Sequence, residues 1–96
     1  MCGYQINFTT YFNDGAWLIE AKGCLEIDVH INQKTYRFNF YDQVRLNQEI
    51  SDALERSDYF FEENVVILDV VNQANMINFL DRVVGTAYMN RFKRQD

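Results

Sequence analysis

One alternating pattern constrains the fold of this chain more than any other feature. From Trp17 to Ile31, apolar or small residues occupy every odd position and most even positions are polar. Side chains alternate between the two faces of a β-strand, so this period predicts a strand that is buried on one face. The parity continues across Gly23, which favours one long strand bent at that glycine over a hairpin turn at Lys22-Gly23. The inward set comprises Trp17, Ile19, Ala21, Gly23, Leu25, Ile27, Val29 and Ile31.

Alternation on both sides of this stretch predicts a meander of antiparallel strands. The segment Tyr4–Phe12 alternates in the same way, and Asn13-Asp14-Gly15 then predicts a tight turn. Asn32-Gln33-Lys34 predicts a second turn, after which aromatic residues point inward again. We expect the aromatic face of this meander to be covered, because large exposed apolar patches are uncommon on soluble monomers. The inward aromatic residues of the last strand are Tyr36, Phe38 and Phe40.

The hydrophobic period then changes from that of a strand to that of a helix. Asp42 suits an N-cap, and the apolar residues that follow recur at helical spacing over Gln43–Arg56. The opposite face of this predicted helix carries Glu49, Asp52 and Glu55, which we expect to be exposed.

The rest of the chain predicts one more strand and one more helix. Val65–Leu68 has the composition of a buried strand, and Asn72 suits the N-cap of a helix. The apolar stripe of that helix extends to Ala87 and Tyr88, with Gly85 inside it. The predicted order is β-β-β-α-β-α: an α+β fold in which two helices pack on one face of an antiparallel meander.

Length and composition predict a single domain, 1–96, that is soluble and cytoplasmic. A chain of 96 residues has room for one core, and its 48% hydrophobic content is too high for a disordered segment. The first residues lack the basic and apolar regions of a signal peptide. The longest aliphatic run, Val65–Leu68, is far shorter than the roughly 20 residues of a membrane span. Cys2 and Cys24 are too few for a disulfide-stabilised extracellular domain of this size.

The residue types needed for catalysis or metal binding are sparse. His30 is the only histidine, and it is predicted to lie on the polar face of a strand. Asp69, at the end of an apolar strand, is the best candidate for a general acid or base, although a solvated strand end explains it as well. Zinc ligation by Cys2, Cys24 and His30 lacks the usual short spacing. We therefore predict a protein that is not an enzyme and that has no metal or cofactor.

The acidic residues are concentrated in one segment. The formal net charge is −5, and residues 49–63 alone account for that value. A negative chain is a poor ligand for nucleic acid, because binding depends on neutralising phosphates with Lys and Arg. The segment is predicted to bind a basic protein, with carboxylates that speed association and aromatic residues that supply contact energy. The alternative is that these residues form a solvated helix face without a binding role, because such a face would have the same composition. The predicted contact residues are Glu49, Asp52, Glu55, Asp58, Tyr59, Glu62 and Glu63.

A family resemblance points in the same direction. A small acidic α+β chain that begins YQINFTTYFNDGAWLIEAKG resembles the immunity proteins of bacterial contact-dependent growth inhibition and related toxin systems. The resemblance is one of general character over the whole chain, and it implies a protein that binds and blocks a cognate toxin, often a basic nuclease. The alternative is a ligand-binding or homodimeric module that uses the aromatic sheet face. That face would include Phe8, Trp17, Tyr36 and Phe38.

Overall fold

The computed structural model describes residues 4–6 and 16–94, with the backbone alone for residues 16–18. Within these ranges one sheet contains β1 (Gln5–Ile6), β2 (Cys24–Ile31), β3 (Lys34–Tyr41) and β4 (Val65–Ile67). The helices are α1 (Ala16–Lys22), α2 (Gln43–Arg56), α3 (Gln73–Val83) and a 3₁₀-helix, Ala87–Arg91. The protein is therefore α+β, as the sequence predicted.

The sheet combines a meander with one parallel strand. The strands lie in chain order, and the pairs β1–β2 and β2–β3 are antiparallel, as predicted for the meander. Helix α1 precedes β2, however, so the order is not the predicted β-β-β-α-β-α. Strand β4 instead runs parallel to β3, with Val66 opposite Phe40. Parallel neighbours need a crossover connection, and here α2 and the loop after it provide it.

The hairpin β2–β3 contains most of the residues of the sheet, and its side chains alternate between the two faces as predicted. Ile27 lies opposite Phe38 on the buried face, while Asp28 lies opposite Arg37 on the other face. The turn consists of Asn32 and Gln33, whose φ values are 51° and 68°. Two left-handed residues are what the right-handed twist of a two-residue hairpin demands.

Residues 17–22 were predicted as the first half of a long strand, but they belong to helix α1. The alternative of a hairpin at Lys22-Gly23 is also wrong. Gly23 adopts φ 74°, and its amide donates to the carbonyl of Ile19 at 3.0 Å. A glycine in the left-handed conformation commonly ends a helix in this way. The odd-numbered pattern also places Ile19 and Gly23 four residues apart, which is one face of a helix, and the Ala-, Leu- and Lys-containing sequence favours helix.

The end of α1 meets the start of α2 at one tight contact. The amide of Asp42 donates to the carbonyl of Gly23 at 2.7 Å. The Asp42 carboxylate in turn accepts from the amide of Arg45 at 2.7 Å, which confirms Asp42 as the N-cap of α2. The bounds of α2 are those predicted.

Helix α3 is shorter than its apolar stripe predicted. Asn72 caps it by accepting from the amide of Asn75 at 2.8 Å, as expected. The helix ends at Val83, and Gly85 follows with φ 82°. Ala87 and Tyr88 were predicted to extend the stripe, but both are exposed and belong to the 3₁₀-helix.

The core lies between the aromatic face of the sheet and α3. Met76 and Leu80 of α3 are fully buried against it. Phe79 packs edge-on against both Phe38 and Phe40. The ring centroids of Phe92 and Phe38 are 4.9 Å apart. The sheet surface that faces away from α3 is polar, with Glu26, Asp28 and Arg37 among its residues.

The two edge strands are short in the described part of the chain. The strand predicted over Tyr4–Phe12 is described only as β1, and its remainder, with the turn predicted at Asn13-Asp14-Gly15, lies outside the described residues. Strand β4 was predicted to be buried, yet Ile67 is 57% exposed and only Val66 is buried. Among the described helices, none has the length and hydrophobicity required to cross a membrane.

Candidate protein-binding surface

The carboxylates of α2 are exposed on one side of the helix and paired with the protein's own residues on the other. No residue of this helix is fully buried, and its apolar residues Leu46 and Ile50 are half-buried. Asp52 and Glu55 lie on the opposite, exposed side, as the sequence predicted. These two carboxylates are three residues apart and therefore share one helix face.

Glu49, predicted to be exposed with them, lies instead on the flank of α2 that turns toward the protein. Its side chain is 30% exposed, and its Oε1 lies 2.6 Å from Nη2 of Arg45, one helical turn earlier. Its charge also helps to raise the pKa of Tyr41. Glu49 is therefore an internal partner for a cation, and the i,i+4 spacing with Arg45 was the sequence signal for that role.

The loop after α2 presents two large aromatic side chains to solvent. Ser57 ends the helix, its amide donating to the carbonyl of Ala53 at 2.8 Å. Tyr59 is 68% exposed and Phe61 is 75% exposed, whereas Phe60 between them is half-buried. An extended segment alternates its side chains, so burial of Phe60 turns its two neighbours outward. Phe61 was not among the predicted contact residues.

Glu62 and Glu63 connect the loop to the sheet and to the C-terminal segment, respectively. The hydroxyl of Tyr41 donates to Oε1 of Glu62 at 2.6 Å. Burial of the phenol, followed by this hydrogen bond to a carboxylate, raises the pKa of Tyr41 well above its ordinary value. Glu63 forms an ion pair with Lys93, with 3.1 Å between Oε1 and Nζ. Both glutamates therefore have structural partners, which lie far away in sequence and left no local signal.

The predicted contact residues thus separate into two groups. Glu49, Glu62 and Glu63 are engaged by other side chains of the same chain. The others face solvent together with Phe61, and we call this set the outer acidic surface. It carries a net charge of −2 over residues 52–58, where Arg56 is the one basic residue. Its members are Asp52, Glu55, Asp58, Tyr59 and Phe61.

The residues considered for catalysis do not lie together in one site. His30 is exposed, with its Nδ1 lying 3.0 Å from the hydroxyl of Thr35. Asp69 is exposed and follows the edge strand β4, which is two strands away from the β2 strand of His30. Cys24 is a half-buried free thiol, and Cys2 lies outside the described residues. Within the described ranges, no three His, Cys, Asp or Glu side chains are grouped as a metal site would require.

The aromatic sheet face is filled by the protein's own core. Phe38 is completely buried and Tyr36 nearly so. Phe38 contacts the rings of Phe79 and Phe92, which leaves these aromatics unavailable to a ligand or a second copy. Phe8 and the side chain of Trp17 lie outside what the structure describes.

Comparisons with protein-family models, with curated proteins and with solved structures return no match for the chain.

Proposed function

We propose that this protein is a non-catalytic binding protein whose outer acidic surface docks onto a basic surface of a protein partner. The observation that carries the proposal is the exposure of Tyr59 and Phe61, at 68% and 75%, directly after Asp58. Apolar side chains that are exposed close together often mark an interaction site, and aromatic residues at interfaces supply much of the contact energy.

The charge of the surface supports a basic partner. Asp52, Glu55 and Asp58 have no opposite charge within ion-pair distance among the described residues. Uncompensated carboxylates accelerate the encounter with a cationic surface and repel an acidic one. The aromatic side chains then lose their water on contact, which slows dissociation.

The resemblance to immunity proteins makes the proposal more specific. The partner would be a bacterial toxin domain, such as a basic nuclease, that the protein neutralises in the cytoplasm. The fold is consistent with that role, because the surface rests on an element that contributes little to the core. In this proposal the protein needs no cofactor or metal and does not bind nucleic acid itself.

The first experiment identifies the partner and measures how fast it binds. The tagged full chain captures proteins from the native cells, and association with each purified candidate is followed at several salt concentrations. The double variant Asp52→Lys/Glu55→Lys should slow association at least tenfold at low salt, and the salt dependence should largely vanish.

The matched control changes the net charge equally at exposed carboxylates elsewhere. Glu20→Lys/Glu26→Lys should slow association much less, because these residues lie on α1 and on the open face of the sheet. Glu20 accepts a hydrogen bond from Asn72 and Glu26 lies 3.9 Å from Arg37, so the thermal stability of this variant is measured first. Equal effects of the two double variants would reject the outer acidic surface as the contact. Failure of the captured partner to inhibit growth, or of this protein to relieve the inhibition, would reject the immunity role.

A second experiment tests the aromatic contact. Tyr59→Ala and Phe61→Ala should increase the dissociation rate of the complex by tenfold or more, with little effect on association. Tyr88→Ala is the matched control, since Tyr88 is also exposed but belongs to the 3₁₀-helix. Unchanged dissociation in both loop variants would contradict the proposal.

A further inference from the structure

The outer edge of β4 has hydrogen-bonding groups that the described chain leaves unused. The carbonyl of Asn64 accepts from the amide of Asn39 at 3.0 Å, and the amide of Leu68 donates to the carbonyl of Tyr41 at 2.8 Å. Because backbone groups alternate along a strand, the N–H and C=O groups of residues 65 and 67 point away from β3. Within residues 4–6 and 16–94, no further strand lies beyond β4.

A cleft lies beside this edge, on the side of the sheet where α3 packs. Its volume is ≈ 570 Å³. One wall is formed by the end of β4 and the residues after it, and the other by successive turns of α3. The helix wall includes Asn75, whose Nδ2 already donates to the Val70 carbonyl at 2.8 Å, and the exposed Asn78. The carboxamide of Asn78 is of the type that can both donate to and accept from a peptide group. A chain that extended the sheet at β4 would pass along this cleft.

The cleft suits a long basic side chain. Its described lining includes the half-buried ring of Phe79 and the carboxylates of Asp69 and Asp81, and Arg82 is the one cation among these described residues. The hydroxyl of Tyr4 donates to Oδ1 of Asp81 at 2.7 Å and so fixes its position. The methylene groups of a Lys or Arg would cover Phe79 while its charge approached the carboxylates.

The opposite side of the edge suits an apolar side chain. Ile67 lies at the rim of the cleft and is 57% exposed. Because side chains alternate along a strand and Val66 is buried, the Ile67 side chain projects onto the sheet face that α3 does not cover. In a strand added to β4, residues next to the basic one would point to this face and lie beside Ile67. The two sides of the edge therefore select for different side chains at alternate positions.

We propose that β4 accepts an extended segment of a protein partner as a fifth strand, with Lys or Arg in the cleft and an apolar residue beside Ile67. Main-chain hydrogen bonds would provide the affinity, and the alternate side chains the specificity. This contact is separate from the outer acidic surface, and neither proposal depends on the other.

Two synthetic peptides test the proposal on the ¹⁵N-labelled full chain by nuclear magnetic resonance. One alternates valine with lysine over five residues, and the other replaces each lysine with glutamate. The lysine peptide should shift the amide signals of Val65 and Ile67 and the carboxamide signals of Asn75 and Asn78. Its dissociation constant should be at least tenfold lower than that of the glutamate peptide.

A backbone variant tests the edge itself. Ile67→Pro removes an N–H that points outward and leaves the hydrogen bonds to β3 in place, as proline on an edge strand can. It should weaken binding of the lysine peptide at least tenfold relative to Ile67→Ala, which keeps that N–H. Asp69→Asn tests the cleft without any backbone change, and it should reduce the preference for lysine over glutamate at least threefold.

Several results would overturn the proposal. Signal shifts confined to other parts of the chain would do so, as would equal binding of the two peptides. Dimerisation of the free chain through β4, seen by sedimentation together with shifts at Val65 and Ile67 on dilution, would assign the edge to a second copy instead. The Asp52→Lys/Glu55→Lys variant should bind the lysine peptide normally, so failure of one proposal leaves the other testable.

Discussion

The carboxamide of Asn64 forms two hydrogen bonds with the backbone of Lys93. Its Nδ2 donates to the Lys93 carbonyl at 2.8 Å, and its Oδ1 accepts from the Lys93 amide, also at 2.8 Å. The same Nδ2 donates to the carbonyl of Arg37 at 3.0 Å. One side chain thus links β3 to the C-terminal segment, beside the direct antiparallel bridge between Tyr36 and Arg94. Asn64 makes these contacts from a left-handed backbone conformation, with φ 52°.

Replacement of Asn64 should destabilise the whole protein. Asn64→Ala loses these hydrogen bonds, and we expect it to lower the free energy of unfolding by roughly 1–3 kcal/mol. Asn64→Gly loses the same bonds but tolerates a positive φ, so it should be about 1 kcal/mol less destabilising than alanine. Urea denaturation measures both values. Wild-type stability in Asn64→Ala would show that the link to Lys93 contributes nothing.

A side chain at Gly23 should be more harmful than one at the other left-handed glycine. A Cβ at Gly23 would lie 2.6 Å from Cγ of Asp42, whereas a Cβ at Gly85 would meet nothing within 4 Å. Both alanine variants carry the strain of a positive φ, roughly 1–2 kcal/mol. Gly23→Ala also displaces the N-cap of α2 and should cost about 1 kcal/mol more. Equal melting temperatures of Gly23→Ala and Gly85→Ala would contradict this account.

The Tyr41 phenol should make stability depend on alkaline pH. Its pKa is raised in the folded protein by burial and by donation to Glu62, so the fold keeps it neutral. In the unfolded chain it ionises near the ordinary pKa of 10.0. The stability that Tyr41 contributes is therefore intact below pH 10 and is lost as the pH rises from there toward the folded pKa.

Tyr41→Phe isolates this effect. It should cost about 1 kcal/mol at neutral pH through loss of the hydrogen bond to Glu62, and its stability should fall less steeply than that of the wild type above pH 10. Denaturant unfolding at a series of pH values gives both quantities. Tyr59→Phe is the control, since Tyr59 is exposed. Parallel alkaline profiles of Tyr41→Phe and the wild type would exclude a role for the phenol.

Helix α2 should open more readily than the rest of the described fold. None of its residues is fully buried, whereas α3 buries Met76 and Leu80. Elements with few buried contacts exchange their amide hydrogens through local unfolding. Asp42→Ala removes the cap, worth about 1 kcal/mol, and should accelerate exchange in α2 about fivefold while sparing β3. Uniform protection across α2, α3 and β3 in the wild type would rule out this local opening.

Features set by neighbouring residues could be predicted from the sequence. The turn at Asn32, the caps Asp42 and Asn72, and the bounds of α2 all follow from local backbone chemistry. Helix α1 could not be recognised from the alternation, because seven residues satisfy the strand and the helix pattern alike. At Gly23 the sequence predicted a bend in a strand or a hairpin, whereas the structure has the end of a helix there.

Features set by distant contacts could not be predicted. The parallel direction of β4 depends on where the crossover through α2 returns the chain. The partners of Glu62 and Glu63 are 21 and 30 residues away, at Tyr41 and Lys93. The sequence located the acidic segment, but only these contacts separate its structural carboxylates from those that face solvent.

The shallow packing of α2 has a consequence for how this protein can change. Substitutions on the exposed side of a helix away from buried contacts usually alter stability by less than about 0.5 kcal/mol. Positions such as Asp52 and Glu55 can therefore exchange charge, size or polarity while the β2–β3 hairpin and α3 preserve the fold. Over evolution, the outer acidic surface can therefore change one residue at a time without passing through an unfolded intermediate.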